Sequence, residues 1–96
     1  MKFEKQTFRV SGRVVIRRIG EDTLLVPVSG TAAGGLVYPV NETAEVVWTC
    51  LADGGTAGQA ADALVARYEV SPDQAVADCE ACVQVFLDEG LIEVVT

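Results

Sequence analysis

Cys79 and Cys82 stand in the order Cys79-Glu-Ala-Cys82, the spacing shared by redox dithiols and zinc sites, and Cys50 is the one other thiol. Dithiol chemistry needs a stabilised thiolate, which a helix start favours, whereas this pair lies inside a long helical pattern. A zinc site needs four ligands, and three cysteines cannot supply four from cysteine alone within one chain. The chain has no histidine, so the commonest general base and metal ligand is also missing. The cysteines therefore read as small apolar residues, the usual role of free cysteine in a core. The pairs Gly34-Gly35 and Gly54-Gly55 fit no phosphate loop and read as turns. Nothing in these residues builds an enzyme, and neither a metal nor a cofactor is expected.

The elements that position these residues belong to one compact domain spanning 1–96, since 96 residues at 50% hydrophobic content bury one modest core. No apolar run approaches the roughly 18 residues of a membrane span, and Met1-Lys-Phe-Glu-Lys-Gln6 lacks the hydrophobic region of a secretory signal. A cytoplasmic location is the expectation, with residues 1–8 frayed. The net charge of −7 is unevenly spread. Lys2, Lys5, Arg9, Arg13, Arg17 and Arg18 face only Glu4 in the first 18 residues, whereas Arg67 alone faces thirteen acids in the rest. This is either a solvated acidic surface or a pair of poles that steer partners of opposite sign.

Arg13–Arg18 and Thr23–Val28 are β-branched runs joined by Ile19-Gly-Glu-Asp22, which predicts a hairpin. A small-residue connection, 29–35, leads to a third strand, Leu36–Val40. Pro27 and Pro39 lack an N–H and belong at strand ends, bulges or edges. The hydrophobic period changes at Asn41: Ala44, Val47, Trp48 and Leu51 then recur at helical spacing, with Asn41 as N-cap and Glu42 and Glu45 at the positive end of the helix dipole. This helix runs from Glu42 to Ala52 and stops at Asp53-Gly-Gly55. A second opens on the capping box Thr56-x-x-Gln59 and carries Ala61, Leu64, Val65 and Tyr68 on one stripe. A third opens on Ser71-Pro-Asp-Gln74, with a reciprocal glutamine expected, and ends at Gly90. Leu91–Val95 either adds a strand or packs over the core. The fold class is α+β: a three-stranded antiparallel sheet followed by three helices.

On the third helix, Ala75, Val76, Cys79, Cys82, Val83, Phe86 and Leu87 fall within an arc of about 140°, and Ala81 and Val85 widen the apolar surface beyond it. That surface either packs entirely as core or leaves one side to meet the sheet or a ligand.

In order and spacing these features resemble the PqqD-like family, small proteins first named from pyrroloquinoline quinone biosynthesis. The matching residues are Val40-Asn-Glu-Thr-Ala44 with Trp48, the turn Asp53-Gly-Gly-Thr56, the Ala57–Tyr68 helix, the Val70-Ser-Pro-Asp73 turn and the closing Glu-Gly-Leu91. The resemblance covers roughly residues 13–93 and implies a winged helix-turn-helix-like fold with no catalysis of its own. It implies a peptide chaperone, or recognition element, that binds the leader segment of a ribosomally synthesised precursor peptide. The leader lies as an added strand between the third strand and third helix and is presented to a modifying enzyme, often a radical-SAM protein. Carried over here, the strand partner is Leu36, Val37, Tyr38 and Val40, and the facing wall is Ala75, Asp78, Cys79, Cys82, Val83 and Phe86. The chain departs from the pattern at Pro39, which interrupts the N–H row so that pairing uses Tyr38 and Val40 or leaves a gap. It also lacks any Lys or Arg on the third helix to meet an acidic leader.

The alternative is a winged-helix DNA-binding regulator. Asp73, Asp78, Glu80, Asp88 and Glu89 on the third helix, with no base, argue against phosphate contact and against a nucleic acid partner. The unpaired sheet edge also leaves a homodimer open.

Overall fold

The computed structural model describes residues 3–29 and 37–95. Along the chain, strands β1 (Phe8–Val10), β2 (Arg13–Ile19), β3 (Asp22–Ser29) and β4 (Tyr38–Val40) precede helices α1 (Glu42–Ala52), α2 (Ala57–Arg67) and α3 (Pro72–Asp88), and β5 (Ile92–Val94) follows. The order β2-β3-β4 forms an antiparallel three-stranded sheet, and β1 pairs with β5 in a separate two-stranded one. This is the α+β, winged helix-turn-helix-like arrangement expected, with a second small sheet added.

The β2–β3 hairpin turns through Gly20 and Glu21, between the paired residues Ile19 and Asp22. Gly20 has φ +63° and Glu21 a negative φ, the type II′ pattern whose twist matches that of the flanking strands. The register places Thr23 opposite Val40, Leu24 opposite Pro39 and Leu25 opposite Tyr38. Thr23, Leu25, Tyr38 and Val40 thus share the face toward the helices, where Leu25 is fully buried.

The helix starts are capped by the residues the sequence marks. The Asn41 side chain accepts from Ala44 N at 2.8 Å. At α2, Thr56 Oγ1 accepts from Gln59 N while Gln59 Oε1 accepts from Thr56 N, a complete capping box. At α3, Ser71 Oγ accepts from Gln74 N, but the expected reciprocal bond is absent. The Gln74 side chain is instead turned forward, its Nε2 donating to the charged Asp78 carboxylate one turn on at 2.8 Å.

The core lies between the helices and closes on the sheet. Val47, Trp48 and Leu51 of α1 meet Ala57, Ala60, Ala61 and Leu64 of α2 and Ala75, Cys79, Val83 and Phe86 of α3. Val65 does not join the α2 stripe and is exposed, since it lies at the margin of the arc that Ala57, Ala60, Ala61 and Leu64 bury.

The segment expected to fray through residue 8 is tied down from Phe3 onward. The Phe3 ring stands edge-on to Phe8, 6.0 Å between centres, and Phe8 is buried. Gly58 N donates to Glu4 O at 3.0 Å, and a Cβ at Gly58 would sit 2.8 Å from that same oxygen. Glycine is needed there for the close approach of two backbones. The strand β5 then holds β1 in place, Arg9 pairing with Glu93 across the two strands.

Candidate functional site

The strand β4 is the outer strand of its sheet, and what it offers outward follows from Pro39. In an antiparallel ladder, alternate residues turn their N–H and C=O groups toward the partner strand. Pro39 has no N–H, so Leu24–Pro39 is the non-hydrogen-bonded pair, and Tyr38 and Val40 carry the bonds to β3. The outward groups are therefore the N–H and C=O of Val37, the C=O of Pro39 and the N–H of Asn41. The Asn41 C=O is taken, accepting from Glu45 N at 2.9 Å in the first turn of α1. Of the two arrangements expected, this is the gapped one: the main-chain groups of Tyr38 and Val40 turn inward, and the proline's missing N–H leaves a single gap in the outward row.

Beside this edge lies an open cleft of about 250 Å³ between β4, the start of α1 and α3, lined by Pro39, Val40, Asn41, Ala44, Ala81, Cys82, Val85 and Phe86. The walls are mostly apolar. Val85, 54% exposed, presents an aliphatic side chain to solvent at the cleft although α3 could have carried a charge there. Phe86 is nearly buried and forms the cleft floor together with Val40. A larger hollow of about 450 Å³ between Arg18 and the α1–α2 face is more polar, and Arg18 and Glu45 form an ion pair across it.

The ten expected site residues divide sharply. Val40, Cys82 and Phe86 line the cleft. Val37, 49% exposed, lies on the outward edge, and Tyr38 is half-buried beside it. Asp78 is half-buried one turn above Ala81 and Cys82. Ala75, Cys79 and Val83 are 0% exposed and belong to the core, because they occupy the part of the α3 arc that α2 covers. Leu36 lies outside the described residues. Pro39, Asn41, Ala44, Ala81 and Val85 line the cleft without having been picked out as site residues. Ala81 and Val85 did carry a signal: apolar residues outside the core arc of an amphipathic helix have no packing partner within the domain.

The Tyr38 hydroxyl is buried and makes no hydrogen bond of ordinary geometry. Burial, then the Glu89 carboxylate beside it, pushes its pKa above the usual phenol value. Burial also raises all three thiols. Cys79 is pushed up to about 12, with Cys82, Cys50 and Glu80 adding to the effect, Cys82 is raised further by Asp78, and Cys50 by Asp53. The Cys79 thiol donates to Ala57 O at 3.3 Å. Thiols so held are protonated near neutrality and are poor nucleophiles. Among the described residues no cluster of three or more His, Cys, Asp or Glu could hold a metal ion. No helix among them is long and apolar enough to cross a membrane.

A family model described as Coenzyme PQQ synthesis protein D (PqqD) matches residues 22–92, from the start of β3 into β5. The chain belongs to the PqqD family. The matched span contains both walls of the cleft, β4 and α3, and leaves β1 and β2 outside it. Two solved structures share the PqqD-family fold seen here. One is described as a lasso peptide synthetase B1 complexed with the leader peptide, with TM-score 0.74 and 23% identity over 90% of this chain and 96% of that one. The other is TbiB1 in complex with the TbiA(beta) leader peptide, with TM-score 0.73 and 20% identity over 88% and 94%. No curated protein sequence matches this PqqD-family chain.

Proposed function

We propose that this PqqD-family chain binds the leader segment of a ribosomally synthesised precursor peptide as an added strand on β4, and presents it to a modifying enzyme of the radical-SAM type. The observation that carries the reading is the conjunction of an outward-facing row of main-chain groups on β4 with an apolar cleft directly beside it. Strand addition satisfies groups that an exposed edge leaves open, while alternate side chains of the guest enter the cleft and supply specificity. Two proteins of the same fold are described in complex with leader peptides, which supports the same use here. The chain acts as a carrier and not as a catalyst: its thiols are held protonated, and its edge and cleft bind without offering a nucleophile.

The energetics suit a carrier. Two or three guest side chains buried at ~1.5–3 kcal/mol each, with main-chain bonds near ~1 kcal/mol each, offset ~2–5 kcal/mol of ordering. After the loss of rigid-body freedom, an affinity in the micromolar range, about −8 kcal/mol, remains. That strength lets a peptide be released to the enzyme that acts on it. Cytoplasmic action follows from the same reading, since ribosomes deliver the precursor there.

The test is titration of isotope-labelled protein with the leader peptide encoded beside its gene. Amide shifts are expected at Val37–Asn41 and along Ala81–Phe86. Shifts confined to the α1–α2 face, or none at all, defeat the reading. Co-purification with the neighbouring modifying enzyme, strengthened by the peptide, tests the second half.

A further inference from the structure

We propose that the cleft selects by charge, taking an extended segment whose apolar centre is flanked on both sides by a lysine or arginine. This inference rests on the peptide-binding reading above and specifies the chemistry of the peptide.

At 100° per residue, Ala81, Val85 and Cys82 span about 100° of the α3 surface, and Asp78 and Glu89 both fall inside that arc, about 20° from each other. The two acids lie on the cleft stripe, one at each end of it. Glu89 stands eleven positions after Asp78, about 16 Å along a helix axis. Each acid also has a neighbour at the site. Glu89 sits beside the hydroxyl of Tyr38, on the strand that forms the other wall. Asp78 stands one helical turn before Cys82, a cleft-lining residue, on the same face of α3.

No positive charge offsets them along α3, where the residues between Pro72 and Asp88 include neither Lys nor Arg. Near the β4–α1 end, Arg18 borders the adjoining hollow with Glu42 and is paired to Glu45. Asp78 accepts from the Gln74 amide, a neutral donor that brings no opposing charge. An acidic guest would therefore meet repulsion at both ends of the cleft, and a basic one attraction. A strand advances about 3.3 Å per residue, so the two charges on the guest stand about five residues apart. Because acids bracket the cleft at both ends, the pattern is the same whichever way the guest strand runs.

Synthetic twelve-residue peptides provide the probe. They share alternating Val, Leu or Phe residues at the centre and carry Lys, Gln or Glu at two flanking positions five apart. Binding to the full chain is read by fluorescence anisotropy and by amide shifts. The expected order is Lys over Gln over Glu, with about tenfold between the extremes at low salt, and the order shrinks once the Debye length falls to about 3 Å near 1 M salt. Reversing the protein charges, Asp78→Lys with Glu89→Lys, inverts the order, and the milder pair Asp78→Asn and Glu89→Gln flattens it. All three peptides shifting the cleft amides with equal affinity, or the acidic one binding best, overturns charge selection and leaves peptide binding intact. No peptide shifting the cleft amides overturns both.

Discussion

The Phe86 ring stands edge-to-face on Trp48, centres 5.2 Å apart and planes at 82°. Trp48 belongs to the core of α1, and Phe86 also forms the floor of the cleft. One residue thus couples the surface offered to a guest to the packing that holds the helices together. Aromatic pairs of this geometry contribute about 0.5–1.5 kcal/mol beyond their buried area.

Phe86→Ala is expected to lower stability by about 3–5 kcal/mol, since it removes a buried ring and opens a cavity against Trp48. Phe86→Leu retains most of the packing and loses the ring contact. Urea denaturation of both variants checks the difference. Equal stability of Phe86→Ala and the parent would show that the ring is not part of the core.

Two aspartate substitutions on one helix separate cleft from core. Val85→Asp places a charge on an exposed cleft residue, so stability changes by no more than about 0.5 kcal/mol while leader affinity falls about tenfold or more. Val83→Asp buries an unpaired carboxylate among α1, α2 and α3, at a cost above about 4 kcal/mol. Thermal melts and peptide titration of the pair give the answer. A folded Val83→Asp that has lost only binding would return Val83 to the cleft.

Gly58→Ala tests the anchoring of the first strand. Its Cβ would press on Glu4 O at 2.8 Å, and overpacking of this kind costs about 1–3 kcal/mol. Faster hydrogen exchange is expected at Phe8–Val10 and at their β5 partners, with little change in β3 or β4. Unchanged exchange in β1 would mean that Phe8 alone holds the segment.

Alkaline pH should weaken the fold through Cys79. Its pKa rises from 9.0 to about 12 on folding, first through burial, so above pH 9 the unfolded chain sheds a proton that the folded chain retains. The stabilisation is complete below pH 9 and is lost as the pH climbs toward 12. Denaturation midpoints across that window should decline less steeply in Cys79→Ala, and an identical slope in the variant would assign the loss to other groups.

The helices and their caps were legible from local sequence, because a capping side chain and a change of period act over three or four residues. Asn41, Thr56 and Ser71 cap where their neighbours say they should. The β2–β3 hairpin was legible for the same reason, since Gly20 satisfies the turn without reference to the rest of the chain. The β1–β5 pairing was not, for Phe8 and Val94 are partners only once the helices have brought the two ends together.

The amphipathic content of α3 was readable from composition and spacing, but the division of its surface was not. Cys79 and Val83 face α1 and α2, while Ala81 and Val85 face the cleft, and all four are apolar. Periodicity reports that a face is apolar, whereas the neighbour that covers it is a long-range contact set by how the helices cross. The role of Pro39 likewise needed the register with Leu24, because a missing N–H has a direction only once a partner strand exists. Local sequence thus determined the elements and their ends, and tertiary packing decided which apolar residues were left uncovered.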